Sequence, residues 1–150
     1  MKRGNGFTLI EMLIVVVIIG LAGLIALPKL STAFAQSNVL SAKARLSALY
    51  ATARATAVSR NQTGILRVNG NQVYVYARPR RNPPINAGNQ VDTVVRPINV
   101  STVFGVTLGG GVDSVRVAPT GLGLDSAVIT FTKYTSLDTL YISRYGRVQK

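Results

Sequence analysis

The sequence predicts an α+β protein in which a long N-terminal helix, membrane-spanning in its first half, packs on a C-terminal antiparallel β headgroup. Residues 7–27 form an apolar run that carries a single charged side chain, Glu11. Residues 29–60 are Ala-rich and contain neither Pro nor Gly. From residue 61 onward, short β-branched and aromatic segments alternate with turn residues. A chain of 150 residues has room for one such domain plus an anchor.

The apolar run is long enough to cross a bilayer. As a helix, its 21 residues extend roughly 30 Å, which matches the hydrocarbon thickness of a membrane. Lys2 and Arg3 precede the run, and positive charges favour the cytoplasmic side. We therefore expect a single pass with the N-terminus in the cytoplasm.

Two other interpretations of this run remain open. A cleaved secretory signal peptide is one, because Ala33-Phe34-Ala35 before Gln36 resembles a small-x-small cleavage site. A plain single-pass anchor is the other. Against the signal peptide, the run exceeds the usual signal core of about 7 to 15 residues and contains an acidic residue.

Glu11 is the most informative residue of the run. An ionisable group inside a membrane segment costs at least about 2 to 3 kcal/mol and normally persists only with a partner. The segment itself offers no cation, and Lys2 and Arg3 lie beyond Glu11 on the cytoplasmic side. The partner must be a cation that reaches Glu11 by snorkelling, a group of another chain or a newly made amine.

The residues around Glu11 resemble the processing motif of type IV pilin precursors, present here as Gly6, Phe7, Thr8, Leu9, Ile10 and Glu11. The resemblance implies cleavage between Gly6 and Phe7 by a prepilin peptidase and methylation of the new Phe7 amine. It also implies that Glu11 pairs with the N-terminal amine of a neighbouring subunit during assembly. Pro28 stands where pilins commonly carry a proline that softens the helix.

This resemblance divides the chain into four segments. They are a leader peptide at residues 1–6, a transmembrane and polymerisation helix at 7–28, an amphipathic helix at 29–60 and a β-rich headgroup at 61–150. The implied partners are other pilin or pseudopilin subunits, the prepilin peptidase and the inner membrane, with the headgroup in the periplasm. In the segment 29–60, a helical period links Val39, Ala42, Leu46, Leu49, Ala53 and Ala57. A helical hairpin that turns within residues 31–38 is the alternative.

The headgroup is predicted to be mainly β. Asn69-Gly70-Asn71 between two β-branched segments is a strong hairpin signal, because Asn and Gly accept positive φ. The expected strands are 65–68, 73–76, 94–103, 115–117, 127–131, 140–143 and 147–149. Residues 78–84 form a basic loop broken by prolines, which we expect to be exposed. The glycines at 109–111 predict a turn or flexible tip, and no phosphate-binding motif accompanies them.

The residue inventory argues against an enzyme. The chain has no Cys and no His, so a structural zinc site, a thiol nucleophile and a serine triad are all excluded. The acidic side chains are Glu11, Asp92, Asp113, Asp125 and Asp138 only. We therefore expect no metal, no cofactor and no catalytic residue.

The headgroup also resembles minor subunits of the GspH/FimT type, through residues 53–62 and through the pattern of residues 119–122, 140–143 and 146–148. This implies a minor subunit that supports protein secretion in a type II secretion pseudopilus, or a subunit of a type IV pilus. Some FimT-like subunits instead bind DNA through a Gly-Arg-x-Arg pattern near the C-terminus. Here Gln149 stands in place of the second Arg.

The net charge of +12 favours an anionic partner. Our hypothesis is one basic face that contacts DNA phosphates without reading bases. It consists of Arg78, Arg80, Arg81, Arg144, Arg147 and Lys150. The alternative is that these side chains are ordinary solvated positions. A secreted cargo protein is the other partner that the sequence leaves open.

Overall fold

The computed structural model describes residues 8–78 and 92–149. The chain divides into two compact units, Met1–Phe34 and Ala35–Lys150. Helix α1 (Leu9–Arg60) contributes to both, and it continues through Pro28. The alternative of a helical hairpin is therefore wrong, because no turn interrupts residues 31–38.

In the first unit, α1 exposes its apolar side chains. Leu9, Ile18 and Leu24 are 84%, 59% and 73% exposed, and the helix is long and apolar enough to cross a membrane. Pro28 provides no N–H to the helix. The Ser31 hydroxyl donates to the Pro28 carbonyl at 2.8 Å, and the Thr32 hydroxyl donates to the Lys29 carbonyl at 2.8 Å.

The second unit contains two four-stranded antiparallel sheets. The first has the order β3-β2-β1-β5 and the second the order β4-β6-β7-β8. The elements are β1 (Thr63–Asn69), β2 (Gln72–Arg78), β3 (Asp92–Asn99), α2 (Val100–Phe104), β4 (Thr107–Gly109), β5 (Ser114–Val117), β6 (Ala127–Lys133), β7 (Ser136–Ile142) and β8 (Val148–Gln149). The predicted α+β class and β-rich headgroup are confirmed.

One hydrophobic core lies between α1 and the inner faces of both sheets. All six apolar positions predicted for the amphipathic helix are buried, and they cluster with Leu66 and Val75 of the first sheet and Phe131 and Leu140 of the second. Small residues allow close approach, since a side chain at Gly64 would overlap the carbonyl oxygen of Ala53.

Three details of the β prediction are wrong. The expected strand 94–103 stops at Asn99, where the Asn99 side chain accepts from the N–H groups of Ser101 and Thr102 and caps α2. Strand β4 was not predicted, because Gly109, its last residue, belongs to the glycine run 109–111 that predicted a turn. Strand β7 begins at Ser136, four residues before the predicted start.

One ion pair is built into the packing. Lys43 of α1 is buried, and its Nζ lies 2.7 Å from Oδ1 of Asp138 on β7. The hydrogen bond from Lys43 lowers the pKa of Asp138. This ion pair joins α1 to β7 of the second sheet.

Candidate functional site

The processing positions Gly6 and Phe7 lie outside the described residues, so the candidate assembly site begins at Thr8 and Glu11. Thr8 immediately precedes α1, and its hydroxyl accepts the Glu11 N–H at 3.3 Å. Thr-x-x-Glu at a helix start is the pattern of a capping box. Thr8 is thus a functional candidate that the sequence reasoning missed, although the pattern was visible in it.

Glu11 lies in the first turn of α1 and is exposed. A carboxylate is favoured there by the partial positive charge of a helix N-terminus. Within residues 8–78 and 92–149, no cationic side chain pairs with it. A charged group placed in an apolar segment without a local partner is suited to pairing with a group from another chain.

A second candidate site lies at one end of the second unit. In the first sheet, Thr63 at the start of β1 pairs with Arg78 at the end of β2, and Gly64 pairs with Val117 at the end of β5. In the second sheet, Ala127 pairs with Ile142, just before the turn that carries Arg144 and Arg147. These strand ends therefore bring basic residues to the margins of both sheets.

Residues 118–125 join these two margins. Val117 forms an isolated bridge with Gly123, and a Cβ atom at Gly123 would lie 2.9 Å from the Gly146 nitrogen and 3.0 Å from the Arg144 carbonyl oxygen. A Cβ atom at Gly121 would lie 3.5 Å from Nε of Arg54 on α1. The helix, the first sheet and the β7–β8 turn thus meet here. We call this region the arginine end, and it comprises Arg54, Arg60, Arg78, Arg144 and Arg147.

The arginine end is exposed and strongly positive. All five of its arginines are exposed. Asp125, a carboxylate on which the charge of Arg144 acts, is bound by Arg116 in a bidentate pair with both distances 2.8 Å. That pair lowers the pKa of Asp125, with a smaller contribution from the charge of Arg144. Asp125 is thus already neutralised by Arg116, and neither Arg144 nor Arg147 donates a side-chain hydrogen bond within the described residues.

The turn that carries Arg144 and Arg147 is held by three hydrogen bonds. Ser143 N–H donates to the Arg147 carbonyl at 2.8 Å, and Gly146 N–H donates to the Ser143 carbonyl at 2.9 Å. Arg147 N–H donates to the Ser143 hydroxyl at 3.1 Å. Gly146 has a φ of 77°, which glycine adopts without strain.

Tyr50 of α1 lies beneath this turn. A Cβ atom at Gly146 would be 3.2 Å from the Tyr50 hydroxyl. The ring is buried, the burial raises the pKa of the hydroxyl, and the described residues provide it with no hydrogen-bond partner. Residues 143–147, which we call the arginine turn, therefore pack directly against the buried Tyr50 of the hydrophobic core.

The structure places only part of the predicted basic face. It brings Arg78, Arg144 and Arg147 to one end of the unit, while Arg80, Arg81 and Lys150 lie outside the described residues. Arg54 and Arg60 join that end and were missed, because the sequence does not show where residues 118–125 fold. Among the described residues, no group of three potential metal ligands exists.

Known proteins resemble this chain in two respects, the sequence motif at its N-terminus and the fold. Residues 1–27 match the family profile of the prokaryotic N-terminal methylation motif. No curated protein matches the chain. A crystal structure of the type IV minor pilin FimU from Pseudomonas aeruginosa superposes with a TM-score of 0.56 at 17% identity, covering 76% of this chain and 88% of that one. A second crystal form gives 0.53 at 18% identity, with coverages of 73% and 90%. At this identity the likeness is one of fold.

Proposed function

We propose that this chain, which is type IV pilin-like in its N-terminal motif and in its fold, is a minor subunit of a pilus or pseudopilus, assembled through α1. The observation that carries the proposal is Glu11, an exposed acid in the first turn of an apolar helix long enough to cross a membrane. Such an acid favours a neighbouring helix at the one stagger that brings a cation to it.

The proposal extends to processing and location. A prepilin peptidase removes residues 1–6 between Gly6 and Phe7, and the Phe7 amine is methylated. Residues 7–28 then span the inner membrane and polymerise, residues 29–60 continue into the headgroup, and residues 61–150 form it in the periplasm. Lys2 and Arg3 support a cytoplasmic start. The subunit is structural and has no catalytic role.

FimU is by name a type IV minor pilin, and its likeness in fold favours a type IV pilus for this chain. A role in a type II secretion pseudopilus that supports protein secretion remains a prediction. The test is recovery of the chain with fibres sheared from the cell surface, measured by mass spectrometry. Absence from sheared fibres, combined with loss of secreted proteins on deletion of its gene, would instead favour the pseudopilus. Retention in the membrane without either effect would contradict both.

The arginine end supports a second function, nucleic-acid binding for DNA uptake. Its five exposed arginines come from α1, β2 and the β7–β8 turn, and Arg forms bidentate hydrogen bonds with phosphate. Because contacts to phosphate release counterions, the affinity should fall steeply with salt concentration.

Removing two of these arginines should weaken DNA binding. We expect Arg144→Ala with Arg147→Ala to lower the affinity for duplex DNA and to reduce the slope of log K against log salt by about 2. Fluorescence anisotropy on the full chain in detergent measures both quantities. The control is Arg45→Ala with Arg96→Ala, which removes the same charge from positions outside the arginine end. Equal losses in the two double variants would mean that only net charge matters.

A further inference from the structure

Tyr145 occupies the tip of the arginine turn. Its side chain is 77% exposed, and it stands between Arg144 and Arg147 in sequence, all three within the turn. A large aromatic ring held in water is unfavourable by the area that it exposes. Arg144 and Arg147 indicate a binding function for the ring. An exposed aromatic ring together with guanidinium groups can bind a base and its flanking phosphates.

The turn presents this ring on a fixed support. Three hydrogen bonds close residues 143–147. Gly123 packs against the backbone of Arg144 and Gly146 so closely that a Cβ atom there would force the turn to move. Because the turn is ordered before any ligand arrives, binding there loses less conformational freedom than binding to a flexible loop.

A comparison within the chain separates Tyr145 from a merely exposed tyrosine. Tyr134 is 85% exposed and lies in the β6–β7 turn, at the opposite end of the second sheet. The adjacent cation is Lys133, whose amine donates to the Phe104 carbonyl at 2.8 Å. The cation next to Tyr134 is thus already hydrogen-bonded within the protein. By contrast, Arg144 and Arg147 donate no side-chain hydrogen bond to the described residues.

The arginine end also carries exposed aliphatic side chains, in residues 118–125 and on α1. Leu122 is 53% exposed and Val58 is 55% exposed, and Val58 Cγ2 lies 3.1 Å from the position of a Cβ atom at Gly121. Bases have apolar faces that a duplex hides within its stack, and single strands expose them. Phosphate contacts alone would make no use of this surface.

We propose that the arginine end binds single-stranded nucleic acid, with one base stacked on Tyr145 and its neighbouring phosphates held by Arg144 and Arg147. This inference rests on the nucleic-acid function proposed above and specifies its ligand. Every base has a face that can stack, so the site discriminates single strand from duplex and not one sequence from another.

The test compares a labelled single-stranded oligodeoxynucleotide of mixed sequence with its duplex, on the full chain in detergent at fixed salt. We expect Tyr145→Ala to weaken single-strand binding by about five- to a hundredfold and to change duplex binding less than about twofold. Tyr145→Phe should retain single-strand binding, because the ring remains. Tyr134→Ala is the matched control and should bind as the unmodified chain does.

Several outcomes overturn the inference, and they differ in what else they overturn. Unchanged single-strand binding in Tyr145→Ala, or equal losses for single strand and duplex, rejects stacking while leaving phosphate binding in place. Failure of the unmodified chain to bind either nucleic acid rejects the nucleic-acid function as well. In that case, binding to vesicles that contain phosphatidylglycerol would assign the arginine end to anionic lipid.

Discussion

Glu11→Ala is expected to leave membrane insertion and processing intact while reducing incorporation into fibres by at least about tenfold. The substitution makes the segment more apolar, so insertion is not impaired. It also removes the only carboxylate of residues 7–27, so the N-terminal amine of a neighbouring subunit has no partner. Leaving one member of a buried ion pair uncompensated costs more than the roughly 1.4 kcal/mol that a tenfold change requires.

The structure also gives Glu11 a local role, which the experiment must separate from pairing. The Glu11 N–H is bound by the Thr8 hydroxyl at the start of α1, and Gln serves in a capping box as well as Glu does. Glu11→Gln therefore retains the cap and loses the charge. Thr8→Ala loses the cap and retains the charge.

Quantification of the chain in sheared fibres, relative to the membrane fraction, distinguishes the two roles. Pairing predicts that Glu11→Gln fails as Glu11→Ala does and that Thr8→Ala assembles. If Glu11→Gln assembles normally and Thr8→Ala does not, Glu11 acts through the helix cap and the pairing account is wrong.

Gly6→Glu is expected to abolish maturation, so that only the full-length precursor is recovered. The resemblance to pilin precursors implies that the peptidase cuts directly after Gly6, and a large charged side chain there would not be accepted in place of a hydrogen atom. Immunoblotting of membranes resolves precursor from product. Asn5→Ala, one position away from the cut, is the control and should mature. Normal maturation of Gly6→Glu would instead favour cleavage after Ala35 or no cleavage at all.

The helix and its buried face could be predicted because their signal is periodic. Val39, Leu46 and Ala53 repeat at a spacing of seven residues, which a helix turns into one stripe. All three are buried. The hairpin at Gly70 could be predicted because its signal is local: Asn-Gly at that position indicates a positive φ, and Gly70 has a φ of 56°.

The features that were missed depend on capping or on distant contacts. Val100, Thr102 and Val103 are β-branched and favoured a strand, but the Asn99 cap and Gly105 with a φ of 64° set a short helix there. Arg54 belongs to the arginine end only because residues 118–125 fold back beside it. No period or motif in the sequence specifies that contact.

The most direct test of the central claim is the intact mass and N-terminal sequence of the chain recovered from membranes. The account predicts a product that begins at Phe7 and carries a methylated amine. A product that begins at Gln36, or a chain that retains Met1, would contradict assembly by the pilin pathway.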